Sequence, residues 1–191
     1  MFYRLVRKLF HLYFKCMYRW KYHGKKNLPA QGPFIICSNH TSWFDPPLIG
    51  CLLPGKHKVN FMAKEELFKI SFIGSLLRKL GAFPVKRNVP DKNAVKHALQ
   101  VLEEGGILGL FPEGTRSRGD GLGKLHRGAA AIALRSKAPV LPVFIKWPGK
   151  FFRAAEVKIG PLISFTEEGK IKGKVLETAT SLISEEMQKL L

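Results

Sequence analysis

The chain has 191 residues, of which 46% are hydrophobic, and this length supports one folded domain with a substantial core rather than two domains. The 32 Lys and Arg residues outnumber the 14 Asp and Glu residues, which gives a formal net charge of +18. Such an excess favours a polyanionic partner, so nucleic acid and an anionic membrane surface are the two classes to separate.

The three cysteines, Cys16, Cys37 and Cys51, are odd in number and show no Cys-x-x-Cys spacing. This pattern indicates neither a disulfide framework nor a zinc site, and it favours a reducing compartment. No run approaches the ~20 apolar residues that span a bilayer, and the N-terminus lacks the apolar core and cleavage site of a secretory signal. We therefore expect any contact with a membrane to be made from its surface.

The N-terminal segment predicts an amphipathic helix, because at about 100° per residue one side is apolar and the other is basic. The apolar side holds Phe2, Leu5, Val6, Leu9, Leu12, Tyr13, Cys16, Met17 and Trp20, and the basic side holds Arg4, Arg7, Lys8, His11, Lys15 and Arg19. No acid precedes Asp45, so the helix suits the headgroup region of an anionic leaflet, where each basic residue contributes about 1 kcal/mol. The alternative is a helix that packs its apolar stripe on the core of the domain.

Beyond this segment, short apolar runs alternate with helical patterns. The predicted strands are 34–38, 59–63, 82–86, 107–111, 140–146 and 157–159, and the predicted helices are 48–53, 67–80, 93–104, 127–137 and 173–190. The alternation predicts an α/β fold, a single domain with a mixed, largely parallel sheet flanked by helices and preceded by the amphipathic helix. We assign residues 1–26 to the membrane-surface helix and residues 27–191 to the domain itself.

The turn after the first predicted strand contains His40 and Asp45. Residues five apart do not face each other on a helix, so the segment must turn, and Asp45 before Pro46 predicts a helix N-cap. A carboxylate bound to one ring nitrogen of a histidine leaves the other nitrogen free as a general base. The alternative is that Asp45 only caps the helix and that His40 only satisfies a buried polar group.

A side-chain nucleophile to accompany this pair is missing from the sequence. No Gly-x-Ser-x-Gly elbow occurs, and no cysteine lies beside His40. We therefore infer that the substrate supplies the hydroxyl that reacts.

A second candidate site follows the predicted strand 107–111. The chain continues as Pro112-Glu113-Gly114-Thr115-Arg116-Ser117, at the carboxyl end of a strand, where α/β proteins place ligands. The guanidinium of Arg116 suits phosphate, and Thr115, Ser117 and the amides around Gly114 add neutral donors, so the segment predicts an anion pocket. The alternative is a surface turn with a solvated arginine.

Two adjacent cations, Lys86 and Arg87, end the predicted strand 82–86. They could hold a phosphate or stabilise an oxyanion. A Lys-Arg pair at the end of a strand is more often simply solvated.

In this order, segments 40–45, 81–87, 111–117 and 138–143 resemble the four sequence blocks of the glycerolipid acyltransferases, and are most similar to those of the bacterial 1-acylglycerol-3-phosphate acyltransferases. The H-x4-D motif of the first block is His40 to Asp45. The resemblance implies that His40 deprotonates the acceptor hydroxyl and that Asp45 orients His40. The hydroxyl oxygen then attacks the acyl thioester directly, with no acyl-enzyme, no metal and no cofactor beyond acyl-CoA or acyl carrier protein as co-substrate.

The resemblance also implies which residues bind the acceptor. They are Glu113, Gly114, Thr115, Arg116 and Ser117, with Arg116 on the phosphate, while Lys86 and Arg87 contact phosphate or the transition state.

The expected function is transfer of a fatty acyl group to the sn-2 hydroxyl of 1-acyl-sn-glycerol 3-phosphate (lysophosphatidic acid), giving phosphatidic acid. The enzyme would lie peripherally or monotopically at the cytoplasmic face of the cell membrane. Other acceptors, such as glycerol 3-phosphate or another lysolipid, remain an alternative. A second alternative is a non-catalytic protein that binds anionic membrane or nucleic acid. The sequence contains no nucleic-acid recognition motif, and we do not expect nucleic acid as a partner.

Overall fold

The computed structural model describes residues 1–53, 57–86, 89–117, 121–150, 152–165, 171 and 173–191. The helices are α1 (Phe2–Tyr18), α2 (Asp45–Leu52), α3 (Glu65–Lys69), α4 (Ser71–Lys79), α5 (Lys92–Glu103), α6 (Gly128–Ser136) and α7 (Lys174–Gln188). The strands are β1 (Lys21–His23), β2 (Phe34–Ser38), β3 (Val59–Lys64), β4 (Ala82–Val85), β5 (Ile107–Leu110), β6 (Val140–Lys146) and β7 (Glu156–Ile159).

The strands form one sheet in the order β1-β7-β6-β2-β5-β3-β4. Neighbouring strands are parallel except for β6 and β7, which are antiparallel, so the predicted mixed, largely parallel sheet is confirmed. Strand β1 was not predicted, because a three-residue Lys-Tyr-His strand has no apolar run. It pairs with β7, so residues 1–26 contribute a strand to the same sheet as the rest of the chain.

Both faces of the sheet are covered by helices, and this explains the near-continuous apolar strands. Every residue of β2 is buried. Ile35 and Cys37 face a core formed with α5, α6 and α7, whereas Phe34 and Ile36 face a core formed with α1 and α2. Successive side chains of β2 point to opposite faces of the sheet, so this one strand contributes to the hydrophobic core on each face.

The predicted helix 67–80 is two helices in the structure, α3 and α4. The backbone at Ile70, between them, is extended (φ −81°, ψ 106°). Gly74 then lies so close to α3 that a Cβ there would meet the carbonyl oxygen of Phe68 at 2.6 Å. The prediction of one continuous helix was wrong because Ile70 continues the apolar pattern through the break.

Helix α1 has two apolar stripes, not one. Phe14 and Tyr18 are buried against the core, and half-buried Phe10, Tyr13 and Met17 pack beside them. A second stripe stays exposed at Met1, Phe2, Leu5, Leu9, Leu12 and Cys16. One side of α1 therefore packs on the core, as in the alternative interpretation, and the other apolar side remains exposed.

Arg7 of α1 and Trp20, just after the helix, do not lie on the sides predicted for them. Arg7, placed on the outward basic side, donates from Nη1 to the carbonyl oxygen of Leu53 at 3.2 Å. Trp20 packs against Phe14, with ring centroids 6.0 Å apart. Over the described part of the chain, none of the helices combines the length and the apolar character needed to traverse a bilayer.

Candidate active site

The candidate site lies along one edge of the sheet. His40 follows β2, Lys86 follows β4, the segment 112–117 follows β5, and Trp147 follows β6. These four strands run parallel, so their carboxyl ends meet at the same edge, where α/β proteins bind ligands.

Asn39 fixes the end of β2 against β6. Its side-chain Nδ2 donates to the carbonyl oxygen of Ile145 at 2.9 Å, and its Oδ1 accepts from the amide of Ile145 at 2.7 Å. The amide side chain thus replaces a pair of backbone hydrogen bonds, and it sets the position of the next residue, His40. This role of Asn39 was not predicted from the sequence.

His40 and Asp45 are in contact, with 2.8 Å between Nδ1 of His40 and Oδ2 of Asp45. Oδ2 of Asp45 also accepts from the amides of Thr41 and Ser42, each at 2.7 Å, and Oδ1 accepts from Nε1 of Trp147 at 2.6 Å. Asp45 is fully buried, and these donors compensate for the loss of water around its carboxylate.

The predicted capping role of Asp45 was wrong. Phe44 is the N-cap residue of α2, and Asp45 is the first residue of the helix. The carboxylate of Asp45 turns back over the preceding loop, where it accepts from Thr41 and Ser42 rather than from the amides of the helix. Asp45 therefore organises the turn that carries His40.

The hydrogen bond defines the chemistry available to His40. An ionised carboxylate only accepts, so Nδ1 of His40 donates to Asp45 and Nε2 remains available as a base. The ring of Phe111 stacks on the imidazole at 4.1 Å between centroids, and Phe61 stacks on Phe111 at 5.7 Å. Phe111, which follows β5, was not predicted to contact His40.

Two residues predicted to bind the acceptor, Glu113 and Ser117, form hydrogen bonds with the backbone of His40. Oε1 of Glu113 accepts from the amide of His40 at 3.1 Å, and Oε2 accepts from the amide of Gly123 at 3.0 Å. Ser117 donates its amide and its hydroxyl to the carbonyl oxygen of His40, at 2.8 and 3.3 Å. The segment after β5 thereby fixes the residue that follows β2.

The exposed part of this segment contains Thr115 and Arg116. The guanidinium carbon of Arg116 lies 3.9 Å from the centroid of the Trp43 ring. Stacking uses the face of a guanidinium and leaves its in-plane N–H donors for an anion. Gly114 has φ +71°, and a Cβ there would meet Cδ2 of His126 at 2.9 Å, so glycine suits this turn.

The second predicted cation pair is described only in part. Lys86 lies just beyond β4, where its amide donates to Oδ2 of Asp91 at 2.9 Å. Arg87 lies outside the described residues.

A cavity of 1310 Å³ opens onto His40, and its lining also includes Trp43, Lys86, Gly114 and Thr115. Its walls are largely apolar, and include Val6 and Phe10 of α1, Leu67 of α3, and Leu77 and Leu80 at the end of α4. Largely apolar walls together with His40, Lys86 and Thr115 fit an amphiphile with a long hydrocarbon chain.

The chain is similar in sequence to known acyltransferases. The family model described as Acyltransferase matches residues 19–146. A Bacillus subtilis protein named 1-acyl-sn-glycerol-3-phosphate acyltransferase is 39% identical over 143 residues, covering 73% of this chain and 70% of that protein. A Streptococcus pneumoniae protein of the same name is 32% identical over 176 residues, covering 88% of this chain and 65% of that protein.

The fold has a counterpart among solved structures. The crystal structure of the 1-acyl-sn-glycerophosphate acyltransferase PlsC from Thermotoga maritima matches with a TM-score of 0.70 at 28% identity, covering 96% of this chain and 78% of that chain. The family match includes His40, Asp45 and the segment 112–117 and ends just before Trp147. These matches confirm the resemblance of the sequence blocks, and the chain belongs to the acyltransferase family.

Proposed function

We propose that this protein transfers a fatty acyl group from a thioester, acyl-CoA or acyl carrier protein, to the sn-2 hydroxyl of 1-acyl-sn-glycerol 3-phosphate, giving phosphatidic acid. The observation that carries the proposal is the hydrogen bond of His40 to Asp45, with His40 lining a cavity whose walls are largely apolar. The names of the relatives support this acceptor.

In the proposed reaction, Nε2 of His40 removes the proton from the sn-2 hydroxyl while the oxygen attacks the thioester carbonyl. The tetrahedral intermediate collapses with cleavage of the C–S bond, and the imidazolium returns the proton to the departing thiolate. Asp45 stabilises the imidazolium that forms between the two steps. The substrate is its own nucleophile, so the reaction needs no acyl-enzyme, metal or further cofactor.

The acceptor phosphate is assigned to Arg116, Thr115 and the amides around Gly114, with Lys86 and the adjacent Arg87 as further cations. Arg116 combines exposure with a fixed guanidinium plane, which suits bidentate binding of phosphate. Glu113 and Ser117 act on His40 rather than on phosphate in this proposal. A carboxylate would repel phosphate, and both side chains already bind the protein backbone.

The membrane surface is part of the same proposal. The exposed apolar stripe of α1 runs beside Arg4 and Lys8, an arrangement that suits an anionic leaflet. The acceptor and the product are both membrane lipids, so a position at the leaflet brings the enzyme to its substrate. The three free cysteines fit the cytoplasmic face.

The proposal is tested by presenting labelled acyl-CoA with three acceptors: 1-acyl-sn-glycerol 3-phosphate, 1-monoacylglycerol and glycerol 3-phosphate. We expect efficient transfer to the first alone, because it has both the phosphate and the acyl chain. Equal turnover of 1-monoacylglycerol would contradict the phosphate site. Absence of product with both acyl-CoA and acyl carrier protein as donors would contradict the reaction.

A pair of arginine variants locates the phosphate. Arg116→Ala should raise the KM for 1-acyl-sn-glycerol 3-phosphate by ~10-fold or more, because a charge-assisted hydrogen bond is lost. Arg135→Ala is the matched control, since Arg135 is exposed in the last turn of α6 and neither it nor the adjacent Ser136 lines the cavity, whereas Trp43 and Thr115, which adjoin the Arg116 side chain, both do. Equal KM values for the two variants would exclude Arg116 from the phosphate site.

A further inference from the structure

Helix α4 exposes large apolar side chains at its N-terminal end. Phe72 is 79% exposed, Ile73 is 37% exposed, and Ile70, directly before the helix, is 51% exposed. A cluster of this kind is unusual on a protein that meets only water. Neither the sequence blocks nor the proposed chemistry uses it.

Lys79 of α4 links the face that carries Phe72 to the exposed stripe of α1. Phe72 and Lys79 are seven residues apart, so they lie on the same face of α4, two turns from each other. Nζ of Lys79 lies 5.9 Å from the ring centroid of Phe2. Leu5 and Leu9 extend the stripe along α1 from Phe2. We call the combined surface of Ile70, Phe72, Ile73, Phe2, Leu5 and Leu9 the two-helix face.

The basic residues around the two-helix face favour an anionic bilayer over a second copy of the chain as its partner. Arg4 and Lys8 on α1, Lys69 at the end of α3, and Arg78 and Lys79 on α4 are all exposed. Helices α1 and α4 contain no acid, and exposed Glu66 of α3 pairs with Lys64 at 3.3 Å. A second copy of the chain would bring like charges together, since each copy carries a net charge of +18. An anionic bilayer suits both the apolar side chains and the cations of this face, because the apolar side chains enter the bilayer while the cations reach its headgroups.

The two-helix face also lies beside the cavity. Val6 and Phe10 of α1 and Leu77 of α4 contribute to its apolar walls, and His40 lines the same cavity. Both helices of the face therefore border the space that leads to His40.

We propose that α4 is a second membrane-contact element, which inserts Phe72 into an anionic leaflet beside α1 and frames the route by which the lipid acceptor enters. The proposal extends the membrane contact of α1 and rests on the proposed function for the identity of the acceptor. It assigns to Phe72 a role in interfacial binding and none in the chemical step.

The binding test compares Phe72→Ser with Leu162→Ser on vesicles containing phosphatidylglycerol. Leu162 is also an exposed apolar residue, with 43% of its surface accessible. The next residue, Ile163, pairs with Val140 at the amino end of β6, whereas His40 follows the carboxyl end of the neighbouring strand β2, so Leu162 lies far from the candidate site. Phe72→Ser should weaken vesicle binding by ~10-fold, because a large apolar side chain no longer leaves water, whereas Leu162→Ser should bind like the wild type. Phe72→Leu should restore much of the binding.

The activity test separates the surface from the chemistry. Phe72→Ser should lose turnover of 1-acyl-sn-glycerol 3-phosphate in vesicles but keep wild-type turnover of a short-chain acceptor in solution. Vesicle binding and vesicle turnover equal to those of the wild type would overturn the proposal. Failure of the wild type to acylate either acceptor would instead overturn the proposed function, and the binding comparison would still decide the role of α4.

Discussion

Asp45 shows which part of the site was accessible from the sequence. Its pairing with His40 was predicted from a short spacing that only a turn can accommodate, because both partners lie in one loop. The indole of Trp147 is 102 positions away, and no local pattern connects it to Asp45. Its position directly after a predicted strand was the available signal, since such positions share the edge that carries His40.

The hydrogen bond from Trp147 predicts a specific kinetic defect. Trp147→Phe keeps an aromatic ring beside Phe14 and Tyr18 but removes the donor to Oδ1 of Asp45. We expect kcat to fall by ~10-fold or more with little change in KM, because Asp45 positions the base and does not bind substrate. Steady-state kinetics measure both quantities.

The matched control is Trp20→Phe, which removes an indole N–H beside the same Phe14 ring. Equal values of kcat in the two variants, at equal thermal stability, would show that Trp147 acts only through packing.

Among the elements, buried strands were predicted best and helix details least well. Strands β2 and β6 have the predicted ends, because a fully buried strand is an uninterrupted apolar run. Helix α1 was located, but Phe14, its most buried residue, was missing from the predicted apolar side. Apolar residues occupy two directions around this helix, and only tertiary packing distinguishes the side that faces the core.

Helix α5 provides a prediction about stability. Oδ1 of Asp91 accepts from the amide of Ala94 at 3.0 Å as the N-cap, and Oδ2 accepts from the amide of Lys86 at 2.9 Å. Hydrogen bonds from these backbone amides lower the pKa of Asp91. Asp91→Ala should lower the free energy of unfolding at pH 7 by about 1 kcal/mol, and Asp91→Asn by less.

The effect depends on pH in a defined direction. Because the pKa is lower in the folded state, the contribution of the charge is complete above the unfolded value of about 3.9 and disappears as the pH falls through the folded pKa. Urea unfolding at pH 7 and at pH 3 should show a smaller difference between the wild type and Asp91→Ala at pH 3. A difference that does not shrink would contradict the assignment.

At the scale of the whole molecule, α1 carries both exposed basic residues and an exposed apolar stripe. The thiol of Cys16 lies on this stripe and can be used to measure its accessibility. Cys16 is exposed on the apolar stripe, whereas Cys37 and Cys51 are buried, and burial raises the pKa of both of these thiols to about 12. At pH 8 we expect a maleimide reagent to modify Cys16 alone in the folded protein, and to modify all three cysteines in urea.

Anionic vesicles should slow the labelling of Cys16, because the leaflet covers the stripe, and vesicles of phosphatidylcholine should slow it much less. Mass spectrometry of the labelled protein gives the rate at each cysteine. Equal rates at Cys16 with and without anionic vesicles would mean that α1 does not lie in the interface.

We propose His40 as the base for direct transfer of the acyl group to a substrate hydroxyl. To test this role, phosphatidic acid formation from labelled acyl-CoA and 1-acyl-sn-glycerol 3-phosphate in anionic vesicles is measured for the wild type and for His40→Ala. We expect His40→Ala to lower kcat by ~100-fold or more at unchanged vesicle binding and thermal stability, and we expect no label on the wild-type protein when the acceptor is absent. Turnover by His40→Ala close to that of the wild type, or labelled protein formed from acyl-CoA alone, would contradict it.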